Sequence, residues 1–268
     1  MTEDKWSRWL KDERWGGRQQ ALQAALNSVR DRIMGMAAPQ AGETVVDLGS
    51  GTGLLGLEAA RLVGPEGRVV CLDVSEPALR TAAAQVTIGC ERFAVAEALA
   101  LPLRAACADA VVMRSVLIYV PDRQAAAAEM ARVLRSGGRV AFFEPINRRM
   151  PLGVDLPDFV DVTQAYLLGR ESNPLCNFEE HDLVAAFEGA GFTVQLSMDE
   201  SRWPTRGAEW SHVFRYGAPA GYNAYDTALA GGATEERLDE FLVAGERQLG
   251  DAWIVMTCPA AYLLAIRT

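Results

Sequence analysis

Histidine is nearly absent, with two in 268 residues, and the five cysteines are scattered without any C-x-x-C pair. The first shortage leaves His181 and His212 as the only imidazoles for acid–base work near neutral pH. The second removes the spacings expected of a zinc site or a disulfide framework, so no metal is expected. No apolar run approaches the roughly 20 residues that a membrane span needs. The amino terminus, Met1-Thr2-Glu3-Asp4-Lys5-Trp6, lacks an apolar signal core. Positive charge is short too, with 26 Lys and Arg against 35 Asp and Glu and a net charge of -9. Phosphate neutralisation by Lys and Arg supplies most non-specific nucleic-acid affinity, so neither nucleic acid nor membrane is an expected partner. A reduced, cytoplasmic chain is the expectation.

What is present is an ordinary globular composition, 50% hydrophobic and 23% charged, in a chain long enough to bury a sizeable core. Its organising stretch runs from Thr44 to Gly56. The run Thr44-Val45-Val46-Asp47-Leu48 reads as a buried parallel strand, Gly49-Ser50-Gly51-Thr52-Gly53 as a turn, and Leu54 to Val63 as a helix. Glycines at alternate positions let the backbone approach a ligand closely, and N–H groups at the helix start can hold a polar or anionic group. Gly51-Thr52-Gly53-Leu54-Leu55-Gly56 also satisfies G-x-G-x-x-G, a weak signal for NAD or FAD. Asp47 argues against a dinucleotide: a carboxylate two residues before the first glycine repels a pyrophosphate and attracts a cationic ligand.

The stretch Val-Val-Asp-Leu-Gly-Ser-Gly-Thr-Gly resembles the first motif of the class I S-adenosylmethionine-dependent methyltransferases. The resemblance implies S-adenosylmethionine as cofactor, S-adenosylhomocysteine as product, and Asp47 near the ligand's amino acid end. It also implies an α/β, Rossmann-like, doubly wound seven-stranded sheet of order 3-2-1-4-5-7-6, its last strand antiparallel, with helical insertions forming a lid.

Downstream residues fit this frame. Arg68 to Asp73 reads as a second strand, and Asp73 stands 20 residues after Gly53, the offset at which a strand-end carboxylate meets a ribose diol. Val74 follows it, and Ser75-Glu76-Pro77 starts a helix. Arg92 to Val95 reads as a third strand running into Ala96-Glu97-Ala98-Leu99-Ala100-Leu101-Pro102. Family members that this resembles carry an acid-Ala-x-x-Leu-Pro pattern there. It implies that Glu97, in place of the commoner Asp, accepts from the adenine amino group while its neighbours frame the ring. Asp109 to Arg114 is the fourth strand. Arg114, Ser115 and Tyr119 then fall beyond its carboxyl end, where ligands sit in open α/β sheets.

Arg123 to Leu134 reads as a helix, Ser136-Gly137-Gly138 as a turn, and Arg139 to Phe143 as a fifth strand. Arg-Val-Leu-Arg-Ser-Gly-Gly-Arg-Val is close to the family's late motif. Glu144, at a strand's carboxyl end, is a candidate general base, with backbone capping as the alternative. Among the histidines, His212 sits among aromatics and is the better base candidate; a structural role stays open for each.

The expected organisation is an amino-terminal helical lid (1–38), a cofactor-binding half (39–146), an acceptor insertion (147–178), and the rest of the sheet (179–268) with an aromatic-rich insertion at about 203–232. Trp6, Trp9 and Trp15 read either as a docking face or as a lid, with Trp15 and Arg18 candidates for the acceptor pocket. Arg148-Arg149 reads as an acceptor anion site or as solvated charge. The aromatics Trp203, Trp210, Phe214, Tyr216, Tyr222 and Tyr225 suit a flat apolar substrate or a small core. The expected activity is methyl transfer to a small molecule of secondary metabolism. Alternatives are another use of S-adenosylmethionine (aminocarboxypropyl transfer, its own cyclisation, a cofactor-assisted rearrangement) and a non-catalytic binding module. Oligomeric state is left open.

Overall fold

The computed structural model describes residues 4–9 and 19–268, so the Trp15 and Arg18 candidates lie outside the described residues. Helices α1 (Lys5–Arg8) and α2 (Gln19–Ala37) precede a run of alternating elements: β1 (Thr44–Leu48), α3 (Gly56–Val63), β2 (Arg68–Asp73), α4 (Glu76–Ala83), β3 (Glu91–Val95), β4 (Ala108–Arg114), α5 (Arg123–Val133) and β5 (Leu134–Pro145). There follow α6 (Val160–Gly169), α7 (Glu180–Gly189), β6 (Phe192–Arg206), α8 (Trp210–Tyr216), α9 (Ala224–Ala230), α10 (Glu235–Leu249) and β7 (Trp253–Arg267).

The seven strands form one sheet in the order β3-β2-β1-β4-β5-β7-β6, as expected from the sequence. The first five strands pair in parallel, and β7 runs antiparallel to β5 from Pro145↔Ala260 to Arg139↔Ile266. Strands β1 and β4 are almost wholly buried, which is why they read as continuous apolar runs rather than alternating ones. Local chemistry sets the helix starts: Ser75 Oγ accepts from Ala78 N–H at the head of α4, and Asp122 does the same for Ala125 at α5.

Three boundaries differ from the sequence reading. Ser136-Gly137-Gly138 is not a free turn but lies inside β5, where the pairing jumps from Ala108↔Leu134 to Ala110↔Arg139. The extra residues bulge out, with Gly137 at φ 75°. The alternating run 192–196 and the apolar run 260–266 each read as a short strand in the sequence, and in the structure they extend to Arg206 and back to Trp253.

Contacts divide the chain into two units. The sheet unit comprises Ala25–Pro145, Glu180–Asp199 and Ala260–Thr268. Its core packs α2 and α3 residues such as Ile33, Ala59 and Val63 with strand residues Val45, Val69 and Val112. The insertion unit comprises the described residues up to Ala24, Ile146–Glu179 and Glu200–Pro259. Its core holds Val162, Tyr166, Trp210, Phe214, Leu238 and Phe241. Trp210 meets Phe241 edge to face at 5.5 Å, and its indole N–H donates to the Leu152 carbonyl at 2.8 Å. Helices α6 and α9 approach so closely that a Cβ at Gly169 would stand 1.8 Å from the Thr227 carbonyl oxygen, which only glycine permits. Among the described residues no helix is long and apolar enough to cross a membrane.

Candidate functional site

The sheet unit gathers chemistry at the carboxyl ends of β1 to β4. After β1 the chain turns through Gly49, Gly51 and Gly53, with φ of 67°, 53° and 95°. Gly49 is required twice over. Its φ is left-handed, and a Cβ there would lie 2.4 Å from Val116 Cγ2. Ser50 N–H donates to the Leu72 carbonyl and Gly53 N–H to the Ser50 carbonyl, so the turn is pinned to β2. The Ser50 hydroxyl is buried and has no hydrogen-bond partner among the described residues.

Asp47 is sealed from solvent beneath this turn, and its Oδ2 accepts from Gly56 N–H at 2.7 Å. Burial holds its carboxyl well above the usual range, against the opposing pull of that N–H, and the nearby Asp73 adds to the rise. The carboxylate thus acts on the head of α3 from below. Its other oxygen, Oδ1, is buried with no hydrogen-bond partner among the described residues.

Asp73 occupies the position where a diol is expected. It is half-buried, and its two oxygens already organise backbone: Oδ2 accepts from Gly51 N–H at 2.7 Å and Oδ1 from Ser75 N–H at 2.8 Å. Each carboxylate oxygen has further accepting capacity. Val74 beside it is 48% exposed, and Val95, its register neighbour at the end of β3, 57% exposed, so large apolar side chains are held open at this edge. Ala96 N–H donates to the Asp73 carbonyl, and Glu97 bridges to Ala100 in a tight turn that leaves Glu97 exposed and Ala98 half-buried. Carboxylate, apolar ledge and exposed acid together fit a nucleoside with a vicinal diol and an exocyclic amine.

At the end of β4, Arg114 lies over the Phe143 ring at 5.8 Å, and Ser115 adopts φ 54°, a left-handed conformation that costs a serine strain. The serine is held there by its N–H, which donates to the Phe143 carbonyl at 2.9 Å. No pattern in the sequence announces this residue's backbone or the packing of Val116 against Gly49; both arise from contacts distant in the chain.

Glu144 is fully buried. Its Oε1 accepts from the N–H groups of Val116 and Leu117, each at 2.8 Å, and Oε2 faces Ile118 N–H at 3.4 Å. Burial pushes its carboxyl up to about 7, against the three backbone donors and the charge of Arg123. This is the geometry of the capping alternative: the carboxyl holds the short 3-10 turn Leu117–Tyr119 in place and presents no face to solvent. Tyr119 closes that turn, half-buried, and so joins Arg114 and Ser115 at the same strand end. His212 belongs to α8 in the insertion unit, its ring 4.9 Å from Tyr216. Trp210 and Phe214 of the aromatic-rich stretch are core residues there. Arg148 and Arg149 pair with Glu171 and Glu179.

Residues 46–142 match a family model described as a methyltransferase domain. The chain is 37% identical over 109 residues to a ubiquinone/menaquinone biosynthesis C-methyltransferase, UbiE, of Marinomonas sp., covering 39% of this chain and 43% of that protein. It is 30% identical over 188 residues to the aklanonic acid methyltransferase DauC of Streptomyces sp., covering 64% of this chain and 84% of that protein. The chain thus spans about half or less of the ubiquinone-type relatives but most of the second one. A geranyl diphosphate C-methyltransferase from Streptomyces coelicolor, solved with S-adenosylhomocysteine, shares the fold at TM-score 0.52 and 14% identity, over 90% of this chain and 77% of that one.

Proposed function

The chain belongs to the class I S-adenosylmethionine-dependent methyltransferases, and we propose that it methylates a small organic acceptor in a biosynthetic pathway. What supports the acceptor class is that the similarity to aklanonic acid methyltransferase covers 84% of that protein, well beyond the cofactor-binding segment. The acid-rich charge balance, which disfavours a polyanionic substrate, agrees with it.

S-adenosylmethionine, when bound, supplies an electrophilic methyl on a sulfonium. Asp73 accepts from the ribose hydroxyls while keeping the Gly51 and Ser75 N–H groups. Val74 and the Ala96-Glu97-Ala98 turn receive the adenine, Glu97 accepting from its amino group. Gly49, Ser50, Gly51 and Gly53 form the floor, with the buried Ser50 hydroxyl left as a donor. Arg114 and Ser115 stand at the end of β4, where methyl donor and acceptor meet. Asp47 and Glu144 are positioning residues: the first fixes the start of α3, the second the Val116–Ile118 backbone. Tyr119, at the same strand end, is the group assigned to the acceptor's proton, to be tested by substitution to Phe. With donor and acceptor held in line, most of the rate enhancement comes from alignment.

The test is a panel of phenols, quinols and organic acids with S-adenosylmethionine, following S-adenosylhomocysteine release and the mass gained by the acceptor. Methylation of at least one member supports the reading. Methylthioadenosine release, or binding of S-adenosylmethionine with no turnover across acceptor classes, overturns it.

A further inference from the structure

Between β4 and α5 the chain leaves the sheet, and side chains take over the backbone groups that strand pairing no longer satisfies. Glu144, from the end of β5, takes the N–H side: its Oε1 accepts from Val116 and Leu117 at 2.8 Å each. Arg123, at the head of α5, takes the carbonyl side, its Nε donating to the Leu117 carbonyl oxygen at 3.0 Å. Leu117 is therefore held from both sides, its N–H by a carboxyl and its C=O by a guanidinium.

Arg123 stands there against two costs. It is the first residue of α5, where the positive end of the helix dipole disfavours a cation. It is also half-buried, and burial pulls its guanidinium below the ordinary value, opposed by the charges of Glu144 and of Asp182 in the first turn of α7. A solvated arginine would avoid the second cost; this one is aimed back along the chain at a carbonyl six residues before it. All three charged groups belong to the sheet unit.

The backbone held in this way carries Val116, whose side chain lies against Gly49: a Cβ on Gly49 would stand 2.4 Å from Val116 Cγ2. Gly49 opens the glycine turn after β1. Close-packed interiors transmit small displacements rather than absorb them, so the place of Val116 bears on the place of that turn.

We propose that Arg123 is a positioning residue for the cofactor: with Glu144 it clamps the Val116–Leu117 backbone, and through Val116 it holds the glycine turn in the form that binds S-adenosylmethionine. This concerns the cofactor rather than the acceptor and rests on the glycine turn as the cofactor's floor. Coupling of this kind is reciprocal, so bound cofactor also tightens the clamp.

The reciprocal effect is measured on the unaltered protein. Saturating S-adenosylmethionine is expected to slow amide hydrogen exchange at Val116 and Leu117 by about threefold or more; unchanged exchange there overturns the proposal. Calorimetry then follows S-adenosylmethionine binding to folded variants. Arg123→Met is expected to weaken it about tenfold, and Arg123→Lys, which keeps a charged donor for the carbonyl, to recover part of that loss. On a Val116→Ala background the same Arg123→Met change should cost less than about twofold, because the link to Gly49 is already cut. An undiminished loss on that background, or parental affinity in Arg123→Met, overturns the proposal. A general loss of stability would not distinguish the two backgrounds. Should Arg123→Met fail to fold, the exchange measurement decides alone. Weakened binding in Asp73→Ala with parental affinity in Arg123→Met strikes the clamp and leaves the cofactor floor standing; parental affinity in Asp73→Ala with slowed exchange at Val116 does the reverse.

Discussion

The N–H of Gly51 donates to Asp73 Oδ2 at 2.7 Å, so the glycine turn after β1 and the acid at the end of β2 are one structural unit. The same carboxylate therefore shapes the turn and faces the ribose position. Asp73→Ala is expected to weaken S-adenosylmethionine binding at least tenfold, since hydrogen bonds to a charged group contribute about 1.5–3 kcal/mol each. Asp73→Asn should fall between, because its amide turns a donor toward a backbone donor. Calorimetry on folded variants checks this, and parental affinity in Asp73→Ala would sink the assignment.

Gly49→Ala should destabilise for two separable reasons. The left-handed φ costs about 1–2 kcal/mol, and the new methyl meets Val116 Cγ2. Adding Val116→Ala removes only the second cost. Urea denaturation of the two single variants and the double variant should therefore show partial rescue; strictly additive losses would mean that the two side chains do not meet.

Ser115 is strained at φ 54°. Ser115→Gly relieves that strain and gives back part of the gain through a freer unfolded chain, so a net stabilisation of about 0.5–1 kcal/mol is expected. Ser115→Val should lose at least about 1 kcal/mol, β-branching being least tolerant of this region. Thermal unfolding of both decides; equal midpoints would contradict the backbone assignment.

Glu144 couples stability to pH. Its carboxyl is raised in the folded state, from an ordinary 4.5 to about 7, so the folded chain holds a proton that the unfolded chain releases. The associated stability is fully present below about pH 4.5 and is lost as pH rises through 7. Glu144→Gln cannot titrate. Its stability relative to the parent should rise between pH 5 and pH 8, by an amount on the order of 3 kcal/mol if burial governs alone. Denaturant midpoints at the two pH values measure it, and parallel profiles would exclude the effect.

The cofactor half was legible because its signals are local. Glycine spacing after Leu48, strand-end acids 26 residues apart at Asp47 and Asp73, and the Leu-Pro step at 101–102 all lie within short windows. The order of the strands followed from the resemblance those windows carry. What escaped depends on distant contacts. Asp47 turns inward because Gly56 N–H awaits it nine residues on, and Glu144 reaches across to a turn that precedes it by more than 25 residues. Helices α6, α8 and α9 were expected only as helical insertions without boundaries, because their apolar faces pack on each other in an aromatic core and their sequence shows no single clean stripe. Arg148-Arg149 stands out in the sequence as a charged pair, and the structure pairs the two with Glu171 and Glu179.

The strand order also dictates how this chain emerges from the ribosome. Five neighbouring strands, β3-β2-β1-β4-β5, are complete once Pro145 has been synthesised, and each can pair with a strand already made. Strand β6 cannot: its neighbour is β7, some fifty residues later, so during synthesis β6 waits beside an open edge of β5 that it must not occupy. Direct pairing of β6 with β5 would shut β7 out of its place. Translation across residues 207–252 is the interval in which that misassembly is open to the chain.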